Sequence, residues 1–119
     1  GYTTFDYLSA HGGAAMSGDR YSFTVTVRNS GPVAGAEVVQ VYVRDEEASV
    51  ERPEKELKAF RKVWLEPGES RTLRFTLSRR DLSFYDADAH AWRAERGNFQ
   101  VLIGSSSADI RRKIHFKLK

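Results

Sequence analysis

The feature that most restricts how this chain can fold is strict alternation. In "YSFTVTV", residues 21–27, Tyr21, Phe23, Val25 and Val27 fall on one side and Ser22, Thr24 and Thr26 on the other. A period of two, carried by aromatic and β-branched residues, describes a strand with one face on a core and one in water. The pattern recurs as Leu73, Phe75 and Leu77 in "TLRFTL", as Phe99, Val101 and Ile103 in "FQVLIG", and along a last strand from Ile110 to Leu118. "EVVQVYVR" leaves little polar face between Val38, Val39, Val41, Tyr42 and Val43, as a central strand would. Between Leu57 and Leu65 the alternation sets Leu57, Ala59 and Val63 against Phe60 and Trp64.

Turn chemistry punctuates these runs: "NSGP" at 29–32, "EPGE" at 66–69 and "RGN" at 96–98. "SRRD" at 78–81 has the Ser-x-x-acid form of a capping box, which predicts one short helical turn. No apolar run of helical length follows it. "LSFYD" and "HAWRAE" read as the two short strands of a hairpin, and "LSAHGGAAMSGDR" as a first loop. About seven short strands at roughly ten-residue spacing predict an all-β, two-sheet sandwich of the immunoglobulin or fibronectin type III kind. Without a Cys…Trp…Cys pattern it is not an antibody-type domain.

At 119 residues the chain suits a single domain, 1–119. Its 40% apolar and 29% charged content is ordinary for a globular protein. No apolar run approaches the ~20 residues of a membrane-spanning helix, so no membrane partner is expected. A first residue that is Gly rather than Met, with no charged-then-apolar leader, suggests a piece cut from something longer. The absence of cysteine excludes disulfides, thiolate metal sites and a cysteine nucleophile, but assigns no compartment.

Net charge is only +3, but it is unevenly spread. Residues 45–56 hold six acids (Asp45, Glu46, Glu47, Glu51, Glu54, Glu56) against Arg52 and Lys55. Paired carboxylates could cleave a glycosidic bond or bind Ca²⁺. The spacing lacks EF-hand order, however, and Pro53 prevents central pairing, so the segment reads as a solvated crossover. Asp86, Asp88 and His90 alternate and could present an O,O,N metal set; with no fourth ligand they read as turn-formers, and no cofactor is expected.

No G-x-S-x-G, phosphate loop or nucleophile–base pairing appears, so the segment alone is not expected to be an enzyme. Trp64, Tyr85 and Trp92 could form a sugar-stacking platform, against the alternative that they serve a core or an interface. Arg111, Lys113, His115, Lys117 and Lys119 form a basic stripe opposite Ile110, Ile114, Phe116 and Leu118. Such a stripe could grip an acidic polysaccharide, lignin or another polyanion, or simply protect a sheet edge. Nucleic acid is disfavoured because no aromatics interleave with the cations.

Longer stretches carry a resemblance. "YTTFDY" at 2–7, "TVTVRNSGPVAGAEVVQVYV" at 24–43, "SVERPEKELKAFRKVWLEPGES" at 49–70, "DLSFYD" at 81–86 and "WRAERGNFQVLIGSSSADIR" at 92–111 occur in the order and spacing of one family. Together they resemble the C-terminal fibronectin type III-like domain of glycoside hydrolase family 3, the β-glucosidases and their relatives. The resemblance implies a non-catalytic accessory domain of a retaining exo-acting β-glycosidase. The nucleophile and acid/base carboxylates would lie upstream, and no residue here matches either motif. The partners implied are the parent's own catalytic domains, with a polymer-binding module as the alternative reading. The resemblance also makes Arg52, Pro53, Lys55 and Glu56 contact hardware rather than a sugar site. Tyr2, Phe5 and Tyr7 complete the expected interdomain face. The parent could be cytoplasmic, periplasmic or secreted.

Overall fold

The computed structural model describes residues 3–16 and 18–119. Among them lie ten strands: β1 (Phe5–Gly12), β2 (Ala15–Met16), β3 (Arg20–Asn29), β4 (Gly35–Asp45), β5 (Glu56–Leu65), β6 (Ser70–Ser78), β7 (Phe84–Asp86), β8 (Ala91–Arg93), β9 (Gly97–Ser106) and β10 (Asp109–Leu118). Alternation becomes pairing most plainly in β3 and β6. These run antiparallel with Tyr21 opposite Leu77, Phe23 opposite Phe75 and Val25 opposite Leu73, all buried. Each strand therefore buries one whole face without a register choice.

A three-stranded sheet in the order β1-β3-β6 packs on a five-stranded sheet in the order β2-β10-β9-β4-β5. Seven long strands make the expected two-sheet sandwich, and β4 is central in the larger sheet. Between the layers Tyr21 stacks on Phe116 at 4.1 Å with 11° between the rings, and Phe99 lies 5.7 Å from Phe116. Each such buried side chain contributes about 1.5–3 kcal/mol relative to exposure.

The first segment differs from its sequence reading. His11 is in β1, opposite Thr24, and the chain then crosses to the other sheet, where β2 runs parallel to the end of β10. The Gly- and Ala-rich stretch has no apolar period, yet Met16 is buried and pins the crossing. One element thus serves both sheets and closes one side of the sandwich.

Four register shifts break the alternation that the sequence suggests. Leu8 in β1, Lys58 in β5, Ser105 in β9 and Arg111 in β10 each lack an opposite residue. Past Lys58 the faces exchange, so Leu57 sits opposite Tyr42 on the outer face instead of beside Ala59 and Val63. At Arg111 the basic stripe is cut: Lys113, His115 and Lys117 keep the outward phase, whereas Arg111 and Arg112 turn towards β1. Arg111 donates to the Phe5 carbonyl at 3.1 Å, and Arg112 to those of Tyr7 at 2.7 Å and Leu8 at 3.2 Å. The guanidinium groups thereby satisfy carbonyls on β1 that no strand pairs.

Two local features position the loops. The capping box forms: Asp81 accepts from the Ser78 amide at 2.7 Å, Ser78 Oγ accepts from the Asp81 amide at 3.2 Å, and a 3₁₀ turn follows over Arg80–Leu82. At "NSGP", Asn29 is fully buried and its amide is saturated. Its Nδ2 donates to Val33 and Leu65 carbonyls at 2.8 and 3.0 Å. Its Oδ1 accepts from Thr3 Oγ1 at 2.6 Å and the Gly31 amide at 2.9 Å.

Candidate functional site

The acidic loop between β4 and β5 is organised around one cation. Arg52 is only 7% exposed in its side chain and Asp45 only 2%. Arg52 bonds Asp45 at 3.1 Å and Glu56 at 3.0 Å, and Lys58 adds a second pair to Glu56 at 3.4 Å. The same guanidinium reaches the Leu82 and Ser83 carbonyls and lies 5.7 Å from the Phe84 ring centre. The expected solvated crossover is therefore a clamp that ties the loop to the 3₁₀ turn and to β7. Pro53 and Glu54 are exposed, and Lys55 and Glu56 are half-buried.

Loop and hairpin border a cleft of about 520 Å³ lined by Val50, Glu51, Phe84, Tyr85, Asp88 and Arg93, among others. Asp86 beside it is occupied. Its Oδ1 accepts the amides of Asp88 and Ala89, and its Oδ2 accepts Arg93 at 2.9 Å. The Arg93 bond first, then the Ala89 amide, holds the Asp86 carboxyl below its usual range. Asp86 is thus the turn-former that the sequence reading preferred to a metal ligand.

Glu95 is likewise held down, by hydrogen bonds from Ser49. Asp109 is held down by Arg111 and then Ser105, and Glu69 by the Glu66 amide. Every carboxylate with a clear shift moves down, the opposite of what a general acid at neutral pH needs.

The aromatic platform does not assemble. Tyr85 and Trp92 meet edge-on, at 75° and 5.5 Å between centroids, and the Arg80 guanidinium covers one Trp92 face at 3.8 Å. Trp64 belongs to a different element, in β5 opposite Ala36. A coplanar sugar platform needs parallel faces, and cross-strand packing turned these two edge to face.

The structure also locates the expected interdomain residues. Phe5 and Tyr7 are buried in the domain's own core, and Tyr2 lies outside the described residues. Tyr7 donates to Glu37 at 3.0 Å, with Arg111 5.4 Å from its ring. Burial, then the Glu37 charge, pushes its phenol well above the usual range. Of the residues proposed for polymer contact, Trp64, Trp92, Lys113, Lys117 and Lys119 are exposed, but Arg111 is engaged with Asp109 and the Phe5 carbonyl.

Sequence reading missed the outer face of the five-stranded sheet. Phe60 is 65% exposed, Trp64 59% and Leu57 50%, with Val38 and Tyr42 on the neighbouring strand. The available signal was in β5 itself: Phe60 and Trp64 are out of phase with buried Val63 and Leu65.

Comparison with known proteins adds the wider context. The sequence model of the fibronectin type III-like domain matches residues 37–107. The thermostable β-glucosidase B of Acetivibrio thermocellus is 45% identical over 111 residues, which cover 92% of this chain and 15% of that protein. β-Glucosidase BoGH3A of Bacteroides ovatus is 45% identical over 121 residues, covering 98% and 16%. Among solved structures, the GH3 β-glucosidase of Bifidobacterium adolescentis superposes with a TM-score of 0.92 at 38% identity, over 98% of this chain and 17% of that one. The β-glucosidase of Kluyveromyces marxianus in complex with glucose gives 0.88 at 39%, over 99% and 14%. The chain thus spans about one-sixth of the length of the curated relatives it matches.

Proposed function

Because this chain belongs to the fibronectin type III-like domain family, we propose that it serves as the non-catalytic accessory domain of a longer family 3 β-glycosidase. In this reading residues 1–119 are one domain from the C-terminal end of the parent. They pack against the catalytic domains and stabilise them, while the parent hydrolyses O-glycosidic bonds in a retaining, exo-acting manner. The observation that carries the reading is the extent of the likeness: nearly all of this chain aligns to about one-sixth of each β-glucosidase. Two features of the domain support it. Arg52 engages Asp45 and Glu56 of the acidic loop, and the shifted carboxylates Asp86 and Glu95 elsewhere in the domain are held ionised.

Pro53, exposed, and Lys55 and Glu56, half-buried, are the proposed loop contacts with a neighbouring domain, with Arg52 holding the loop in shape through Asp45 and Glu56. Tyr2 stays in the proposed contact segment; Phe5 and Tyr7 leave it, because both side chains are buried in the domain's own core rather than open to a neighbour. The test is deletion of residues 1–119 from the full-length chain. The expected result is a destabilised or insoluble remainder. A remainder with unchanged folding and unchanged kinetics on an aryl β-glucoside contradicts the proposal.

A further inference from the structure

Of the nine large apolar side chains exposed among the described residues, four share one surface: Val38, Leu57, Phe60 and Trp64. β5 is the edge of its sheet, and Val38 opposite Lys62, Gln40 opposite Phe60 and Tyr42 opposite Leu57 place β4 and β5 side chains on a common outer face. The sandwich core lies on the opposite side of these strands and gains nothing from them. Isolated exposed apolar residues are normal, but a contiguous group centred on a Phe and a Trp marks an interaction surface.

We infer that this outer face is the surface through which the domain docks onto the remainder of its own chain, with Phe60 and Trp64 at the centre of the contact. The inference rests on the accessory-domain reading above, and adds which face is used. Chain length argues for this occupant, since about five-sixths of each matched β-glucosidase lies outside the aligned region. Charge argues against a second copy. Arg44 and Lys113 flank the apolar group on the same face, and Lys62 lies between Phe60 and Trp64, so a two-fold self-contact centred there would set Lys62 against its own copy. The partner surface is therefore apolar against Phe60 and Trp64, with a carboxylate for Lys62 between them and further carboxylates at its rim.

The two tryptophans provide an internal control. Within the domain Trp64 is 59% exposed and Trp92 48%, and the chemistry of the two indoles is the same. Hydroxyl-radical footprinting of the full-length chain then compares the two directly. Docking predicts that Trp64 is oxidised roughly ten-fold less than Trp92, as for a side chain at the desolvated centre of an interface, with Phe60 protected alongside it. Equal labelling of Trp64 and Trp92 while other surface residues of the domain are protected overturns the inference and leaves the accessory role standing. No protection anywhere on the domain overturns both. Protection of Trp64 that disappears on dilution assigns the face to a second copy and also overturns the inference. Phe60→Lys in the full-length chain is expected to restore Trp64 labelling towards that of Trp92; continued protection counts against a contact centred on these two residues.

Discussion

Replacing Arg52 by Met tests whether the β4–β5 loop is a clamp or a tether. The substitution keeps an unbranched apolar stem and removes the charge. It leaves the Asp45 carboxylate, 2% exposed, without its cation, and the Leu82 and Ser83 carbonyls without a donor. Breaking one side of a buried pair costs about 3–5 kcal/mol, because the remaining charge stays desolvated. Glu56 is 30% exposed and keeps Lys58, so its loss adds little. With a urea slope near 1.5 kcal/mol/M, R52M should lower the unfolding midpoint of the 119-residue chain by about 2–3 M.

The companion variant is Asp45→Asn, which keeps an oxygen acceptor for the Glu47 amide while removing the charge. Combined with R52M it should recover part of the loss, since no buried charge remains. An R52M cost below about 1 kcal/mol, the range of an exposed pair, would refute the clamp. So would a double variant no more stable than R52M alone.

Asn29→Ala removes four hydrogen bonds from a fully buried site and should cost about 3 kcal/mol by chemical denaturation, given about 1–3 kcal/mol for each buried group left unpaired. Gly104→Ala should be comparably damaging, because a Cβ there collides with the Asp109 carbonyl across the bulged pair; a variant within 0.5 kcal/mol of wild type, roughly the range of a neutral surface change, would show that the bulge relaxes. Tyr7→Phe loses the bond to Glu37 and should cost about 1 kcal/mol near pH 7. The folded phenol titrates above its unfolded value of 10.0, so its stabilising effect is complete below that pH and is lost as pH rises through it. The gap between wild type and Y7F should therefore shrink above pH 10, and a constant gap would contradict the shift. In the acid direction, the depressed carboxyls of Asp86, Glu95 and Asp109 stabilise the fold above their unfolded values near 4 and lose that effect as pH falls through their lower folded values. Thermal midpoints measured downwards from pH 5 should show the decline.

Strands whose alternation is uninterrupted were legible residue by residue. Tyr21, Phe23, Val25 and Val27 face the core as their period requires, as do Leu73, Phe75 and Leu77. The capping box at 78–81 was legible because its geometry depends on four consecutive residues. The bulges were hidden. A period of two reads straight through Lys58 and Arg111, yet one extra residue exchanges the faces beyond it. That is why alternation alone groups Leu57 with Ala59 and Val63, and Arg111 with a basic stripe. The crossing at Met16 was hidden for a related reason: a two-residue strand carries no period.

The Arg52 clamp needed tertiary knowledge, since its carbonyl partners Leu82 and Ser83 lie about thirty positions away along the chain. A local view shows acids around one Arg, which is also what a solvated loop looks like. Phe60 and Trp64 could be read as outward-facing but not as a group, because Val38 and Tyr42 join them only through the β4–β5 pairing.

Calorimetry of the full-length chain, with and without Phe60→Lys, tests the central claim most directly. If the domain stabilises the parent through packing, it should unfold together with the catalytic region in one transition. F60K, at an exposed position that the domain's own core does not use, should separate that transition into two and lower the catalytic one. A wild-type domain that unfolds independently, at the temperature of the isolated 119-residue chain, with F60K leaving the catalytic transition unmoved, would contradict the account.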